Sequence, residues 1–182
     1  AIRRQRQMCI RDRLKQVQRG EDFTIIKSSD LSRTHIKRLV DNHFLKPIIK
    51  GWYVVTDPRA TPGDSTAWYA SFWSFITRYA NERYGNEWCL SAEQSLSIYT
   101  GATIIPNQVL IRAPKGNDYM VPLIPPTSVF NLGAELPSKI DTNNPYNLNL
   151  YTLAEAIIVA TPTMYRNDAL TMRTALAMVH DL

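Results

Sequence analysis

Residues 32–55, with the sequence SRTHIKRLVDNHFLKPIIKGWYVV, decide the fold prediction because a helical period is followed directly by strand-like runs. Ser32 is a typical N-cap, and residues suited to packing follow it at the spacing of one helix face. These residues are Ile36, Leu39, Val40, His43 and Phe44. The pattern predicts a helix that ends near Leu45 and has His43 on its packed face.

The second half of this stretch predicts a β-hairpin. Two short runs of residues that favour strands, 46–49 and 52–55, lie on either side of Lys50 and Gly51. A helix followed at once by a hairpin is the order of a winged helix-turn-helix. In that fold the last helix enters the major groove of DNA, and the hairpin, called the wing, lies along the DNA backbone. We therefore expect a winged helix-turn-helix over residues 14–56, with a further helix over residues 14–19.

The other face of the predicted helix has the side chains that duplex recognition needs, namely cations for phosphates and hydrogen-bonding groups for base edges. The residues expected to contact the groove are Arg33, Thr34, Lys37 and Arg38. The residues expected to hold phosphates from the wing side are Lys46, Lys50 and Arg59. The alternative is a basic helix face that is only solvated, as on many helices.

The charge of the chain is divided unequally. Residues 1–59 have 14 Lys/Arg against 6 Asp/Glu, whereas residues 60–182 have 7 against 10. Residues 7–13, QMCIRDR, resemble translated sequencing-adaptor sequence, so residues 1–13 are excluded from the fold prediction. Residues 14–59 still have 9 Lys/Arg against 5 Asp/Glu. A basic N-terminal part is typical of a nucleic-acid-binding module fused to another domain.

The rest of the chain predicts a second domain and an α+β fold class overall. Residues 57–64 contain Pro and Gly and predict a linker, and residues 65–182 predict a mixed α/β domain with short strands and flanking helices. Helices are predicted over residues 66–84, 91–99, 153–160 and 167–181, and strands over residues 109–113, 119–123 and 128–130. The last helix reaches the end of the chain, which predicts truncation there. The Trp and Tyr residues of 68–88 have helical spacing, which predicts a core rather than a stacking platform.

Composition and motifs point away from several function classes. No apolar run approaches the ~20 residues of a membrane helix, and no signal peptide is visible, so we expect a cytoplasmic protein without a membrane partner. Two cysteines, Cys9 and Cys89, fit a reducing compartment. The histidines are isolated, neither cysteine lies in a CxxC motif, and no phosphate-binding loop occurs. We therefore predict no catalytic, cofactor or metal site, and no enzyme activity for this chain.

Four blocks of the sequence carry a family resemblance. They are GWYVV at residues 51–55, GDSTAWYASFW at 63–73, WCLSAEQSL at 88–96 and RTALAMV at 173–179. These blocks resemble the N-terminal region that precedes the catalytic domain in some bacterial Fic-family proteins. The layout of a winged helix plus an α/β extension is also similar to AbiEi-type antitoxins, which resemble transcriptional repressors of their own operons.

The resemblance implies a DNA-binding, antitoxin-like transcriptional regulator that forms the N-terminal module of a Fic-type AMP-transferase. The His-Pro-Phe and Gly-Asn-Gly-Arg signature of Fic domains is absent from the chain, so no catalytic residue is transferred and adenylylation would belong to a segment after Leu182. The implied partners are duplex DNA and a C-terminal Fic domain or cognate toxin. The alternative is a protein-interaction module that docks such a domain without binding DNA.

Overall fold

The computed structural model describes residues 24–61 and 63–179, and within them the predicted α+β class is confirmed. Six helices occur there: α1 (Arg33–Asp41), α2 (Thr66–Tyr84), α3 (Ala92–Tyr99), α4 (Leu153–Val159), α5 (Pro162–Asn167) and α6 (Ala169–Ala177). The strands are β1 (Ile25–Lys27), β2 (Leu45–Ile49), β3 (Trp52–Val55), β4 (Cys89–Leu90), β5 (Gln108–Ala113), β6 (Tyr119–Pro122), β7 (Ser128–Gly133), β8 (Ile140–Asp141) and β9 (Leu150–Tyr151). The helix predicted over residues 14–19 lies outside the described residues, as do residues 1–13.

The chain divides into two compact units, and the division falls inside α2, between Phe72 and Trp73. The sequence predicted a linker over residues 57–64 and a new domain from residue 65. The difference arises because α2 is one continuous helix from Thr66, and its first two turns belong to the first unit. Trp68 and Phe72 of those turns are buried, 1% and 0% exposed, and their rings meet edge to face at 5.3 Å.

The first unit contains a three-stranded antiparallel sheet with the strand order β1-β3-β2. The predicted hairpin is present as β2 and β3. Helix α1 packs on one face of this sheet, where a cluster forms from Ile26, Leu39, Phe44 and Leu45, with Tyr53 and Val55 packed against it. Burial of this apolar surface holds α1 on the sheet and decides which side of the helix faces outward.

Helix α1 ends at Asp41, four residues before the predicted end. His43 has a left-handed φ of 59°, its amide donates to the Val40 carbonyl at 3.0 Å, and the Phe44 amide donates to the Leu39 carbonyl at 2.8 Å. This pair of bonds is a Schellman motif, which normally has Gly at the left-handed position. The placement of His43 on a packed helix face is therefore wrong: its side chain is exposed.

The second unit contains both helices and strands, which agrees with the α+β class. Its main sheet has the order β4-β5-β7-β6, in which β5 and β7 are parallel and the other neighbours antiparallel. The C-terminal half of α2 covers one face, since the hydroxyls of Tyr79 and Tyr84 reach Asn131 on β7. On the opposite face, Cys89 packs in a cluster with residues of α3 to α6, including Leu96 and Met172.

The predicted helices of the second unit are present with two differences. Helix α3 is N-capped by Ser91, and Ser91 and Gln94 have the spacing of a capping box, but the Gln94 side chain does not bond the Ser91 amide. That side chain instead bonds β5, donating to the Gln108 carbonyl at 2.8 Å and accepting from the Leu110 amide at 3.1 Å. The predicted helix over residues 167–181 is the shorter α6, which ends at Ala177, and the preceding α5 was not predicted although Pro162 at its first position is a known start signal.

The predicted aromatic core is confirmed for most of its members. Trp88 is fully buried and its Nε1 donates to the Asn81 side chain at 2.7 Å, while Tyr79 and Tyr84 are each 6% exposed. The exceptions are Tyr69, which is 38% exposed, and Trp73, which is only partly buried.

Candidate nucleic-acid interface

Helix α1 presents the candidate surface, and its first turn is held by Ser32. Ser32 has the extended backbone of an N-cap, and its Oγ accepts from the His35 amide at 3.4 Å. The same Oγ lies 2.7 Å from Nδ1 of His35. Ile36 and Leu39 are buried, so the opposite side of the helix points away from the sheet.

The outward side of α1 contains the four residues predicted to contact the groove. Arg33, Thr34, Lys37 and Arg38 are all exposed. Because a helix turns about once every 3.6 residues, the pairs 33/37 and 34/38 lie one turn apart on this side. Among the described residues, none forms an ion pair with Arg33, Lys37 or Arg38. The one acidic residue of α1, Asp41, stands in its last turn, so the first turns contain no acidic residue.

Lys50 lies at the same end of the first unit as the start of α1. Strand β1 ends beside the hairpin turn, since Lys27 pairs with Trp52, and the Ser28 amide donates to the Gly51 carbonyl at 2.8 Å. The chain then enters α1 within a few residues. The far end of α1 is tied to the other end of the sheet, where the Thr56 amide donates to the Phe44 carbonyl at 3.0 Å. The exposed Lys50 therefore lies toward the end of α1 that starts at Arg33, and not toward the end at Asp41.

Lys46 points to the other face of the sheet. Its neighbour Leu45 packs against α1, and side chains alternate along a strand. Its cross-strand partner Val54 likewise stands between two residues, Tyr53 and Val55, that pack on the α1 side. The pKa of Asp64 is lowered by hydrogen bonds to Thr66 and, to a lesser extent, by the charge of Lys46. Lys46 thus acts electrostatically on a segment away from α1.

Arg59 forms an ion pair with Asp57, two residues before it in the chain. Its Nε and Nη2 donate to the two carboxylate oxygens of Asp57 at 3.2 and 3.1 Å. This hydrogen-bonded carboxylate raises the pKa of Arg59, although both side chains are well exposed. Arg59 follows the end of β3, which is the end of the sheet opposite to Lys50.

The structure therefore divides the seven predicted site residues. Four share the outward side of α1, namely Arg33, Thr34, Lys37 and Arg38, and Lys50 lies at the end of the sheet where α1 begins. Lys46 and Arg59 lie apart from them. Sequence reasoning missed Ser28, which ties the hairpin turn to the loop before α1; the only local signal was the turn-favouring run Ser28-Ser29-Asp30.

Several titratable and nucleophilic side chains of the second unit are buried or have structural partners. Burial raises the pKa of the Cys89 thiol to about 12, so it stays protonated at neutral pH. Glu93 accepts from the Thr161 amide at 3.3 Å, and Glu87 pairs with Lys115 at 3.2 Å. Ser95 and Ser97 donate to carbonyls of the preceding helical turn. Within residues 24–61 and 63–179, no three His, Cys, Asp or Glu side chains are grouped to hold a metal ion.

Comparisons with protein-family models, curated proteins and solved structures found no match to this chain. In the part of the chain that the structure describes, no helix combines the length and the apolar character needed to cross a bilayer.

Proposed function

We propose that the first unit is a winged-helix module that binds duplex DNA, with α1 in the major groove and the Lys50-Gly51 turn on the backbone. The single observation that supports this proposal is the outward side of α1, where three cationic side chains and one hydroxyl are exposed without acidic partners in the first turns. A free surface of this kind can exchange counterions for phosphates without first breaking internal ion pairs.

The dimensions of α1 suit this role. A helix with its side chains is about 10–12 Å wide, and the major groove is about 12 Å wide. Arg33, Thr34 and Lys37 stand in the N-terminal half of α1, which in helix-turn-helix proteins is the part that contacts base edges. Arg33 and Lys37 have the chemistry for guanine edges or phosphates, and Thr34 can contact a base or a sugar-phosphate oxygen.

The wider role we propose is the one that the Fic and AbiEi resemblance implies. The module would act as an antitoxin-like transcriptional regulator at the N-terminus of a Fic-type protein. Its charge supports the DNA part of this proposal, because the basic residues concentrate in the first unit while the second is mildly acidic.

The test measures binding of the full chain to a mixed-sequence 30-base-pair duplex. Fluorescence anisotropy reports the binding constant at each of several salt concentrations. Arg33→Ala and Lys37→Ala should each weaken binding and reduce the slope of log K against log salt by about one. Arg173→Ala, at an exposed position of α6 in the second unit, removes the same charge and should leave the slope unchanged. Absence of binding at low salt, or equal behaviour of all three variants, would contradict the proposal.

Docking of a partner protein is the second candidate function, and exposed apolar side chains of the second unit favour it. Ile158 on α4 is 82% exposed and Leu170 on α6 is 77% exposed, and α4 and α6 pack together. Binding of a separately produced Fic or toxin domain, insensitive to salt and lost in Ile158→Lys, would support this function. A chain that shifts DNA but binds neither domain would exclude it.

A further inference from the structure

A backbone hydrogen bond attaches the hairpin turn that holds Lys50 to the loop before α1. The Ser28 amide donates to the Gly51 carbonyl at 2.8 Å. Gly51 has a left-handed φ of 83°, and a Cβ added there would lie 3.2 Å from Ser28 Oγ. The two segments therefore touch closely at a position that only glycine fits without strain.

The contact between Ser28 and Gly51 determines where the side chain of Lys50 can reach. Lys50 is exposed and has a long, rotatable side chain, so its contribution depends on where the backbone of the turn is held. An antiparallel hairpin that is attached only at its strands leaves the tip free to bend, whereas here the tip is bonded to the segment that leads into α1. The position of Lys50 is thereby linked to the position of Arg33.

We infer that Ser28 and Gly51 are positioning residues for DNA binding. Their contact holds Lys50 where its side chain reaches a DNA phosphate beside the major groove that α1 occupies. This inference rests on the proposed function and adds that the contribution of Lys50 to DNA binding depends on the contact between Ser28 and Gly51. Loosening the contact should remove the phosphate contribution of Lys50 although no charge has been removed.

The experiment compares Gly51→Ala, Lys50→Ala and the double variant in the same anisotropy titration against salt. Lys50→Ala should reduce the salt slope by about 0.9, the value for one phosphate contact. Gly51→Ala should produce a similar reduction, and the double variant should show no further change. The matched control is Gly101→Ala in the second unit, where φ is 77° and no atom lies within 4 Å of an added Cβ, so it has the same backbone cost without the contact.

Thermal unfolding identifies variants that are not folded at the assay temperature. If Gly51→Ala is one of them, Gly51→Asn replaces it, because Asn tolerates a left-handed backbone better than Ala while its Cβ still lies against Ser28 Oγ. A Gly51 variant that is folded and retains the wild-type slope overturns the inference, as does a Lys50→Ala variant with an unchanged slope while Arg33→Ala reduces it. Failure of the unaltered protein to bind duplex DNA would instead overturn the proposed function itself.

Discussion

The buried side chain of Asn131 offers the sharpest test of how the second unit is held together. Asn131 is 0% exposed, and its Oδ1 accepts from the hydroxyls of Tyr84 at 2.9 Å and Tyr79 at 3.3 Å. Its Nδ2 donates to the Tyr119 carbonyl at 3.2 Å. One amide thus bonds two tyrosines of α2 and the edge strand β6 to the middle of the sheet.

We expect Asn131→Leu, which keeps the branching and the number of heavy side-chain atoms, to lower the free energy of unfolding by about 3 kcal/mol. Each of the two hydroxyls loses its buried acceptor, and an unsatisfied buried polar group costs about 1–3 kcal/mol, partly offset by the added apolar contact of leucine. Tyr84→Phe alone should cost about 1 kcal/mol, because Oδ1 keeps its bond from Tyr79. In the Asn131→Leu background, Tyr84→Phe removes a buried hydroxyl that has lost its acceptor, so it should raise the free energy of unfolding by about 1–2 kcal/mol.

The assay is urea unfolding of the full chain and the three variants, followed by circular dichroism, with the m-value compared among them. A double-mutant cycle isolates the coupling between the amide and the hydroxyl. Equal destabilisation of both backgrounds by Tyr84→Phe would contradict the predicted coupling, as would unfolding of Asn131→Leu at the same urea concentration as the unaltered protein.

Two further predictions concern the same unit. The pKa of Cys89 is raised by burial from 9.0 to about 12, so the unfolded chain loses this proton first, and the stability present below pH 9 should be lost as the pH rises toward 12. Urea unfolding at several pH values should therefore show a steeper loss for the unaltered protein than for Cys89→Ala, and parallel curves would contradict the burial of this thiol. Gly116→Ala should destabilise by about 3 kcal/mol or more, because its Cβ would lie 2.3 Å from the Leu132 carbonyl oxygen, a backbone atom that cannot turn away. Gly101→Ala, with a left-handed φ but open space, should cost only about 1–2 kcal/mol, so equal melting temperatures of the two variants would show that the close approach at Gly116 is not rigid.

Local patterns accounted for most helices and the longer strands, but not for α5, for the short strands β1, β4, β8 and β9, or for several boundaries. The N-caps Ser32 and Ser91, the hairpin around Lys50-Gly51 and the long helix α2 were all predictable, because their signals lie within a few residues of each other. The end of α1 was not, because His43 takes a left-handed conformation that sequence patterns assign to glycine. Here the contact of Phe44 with the cluster around Leu39 decides where the helix stops.

For the candidate interface, the sequence by itself determined which side of α1 is cationic, since helical spacing places Arg33, Thr34, Lys37 and Arg38 opposite the apolar positions. Only the tertiary structure decided which other cations join them. Strand alternation in the folded sheet turns Lys46 to the opposite face, Asp57 engages Arg59, and the bond from Ser28 to Gly51 brings Lys50 to the start of α1. The positions of Lys46 and Lys50 depend on contacts between segments distant in the chain, which no local period of hydrophobicity or charge encodes, whereas Asp57 lies only two residues from Arg59.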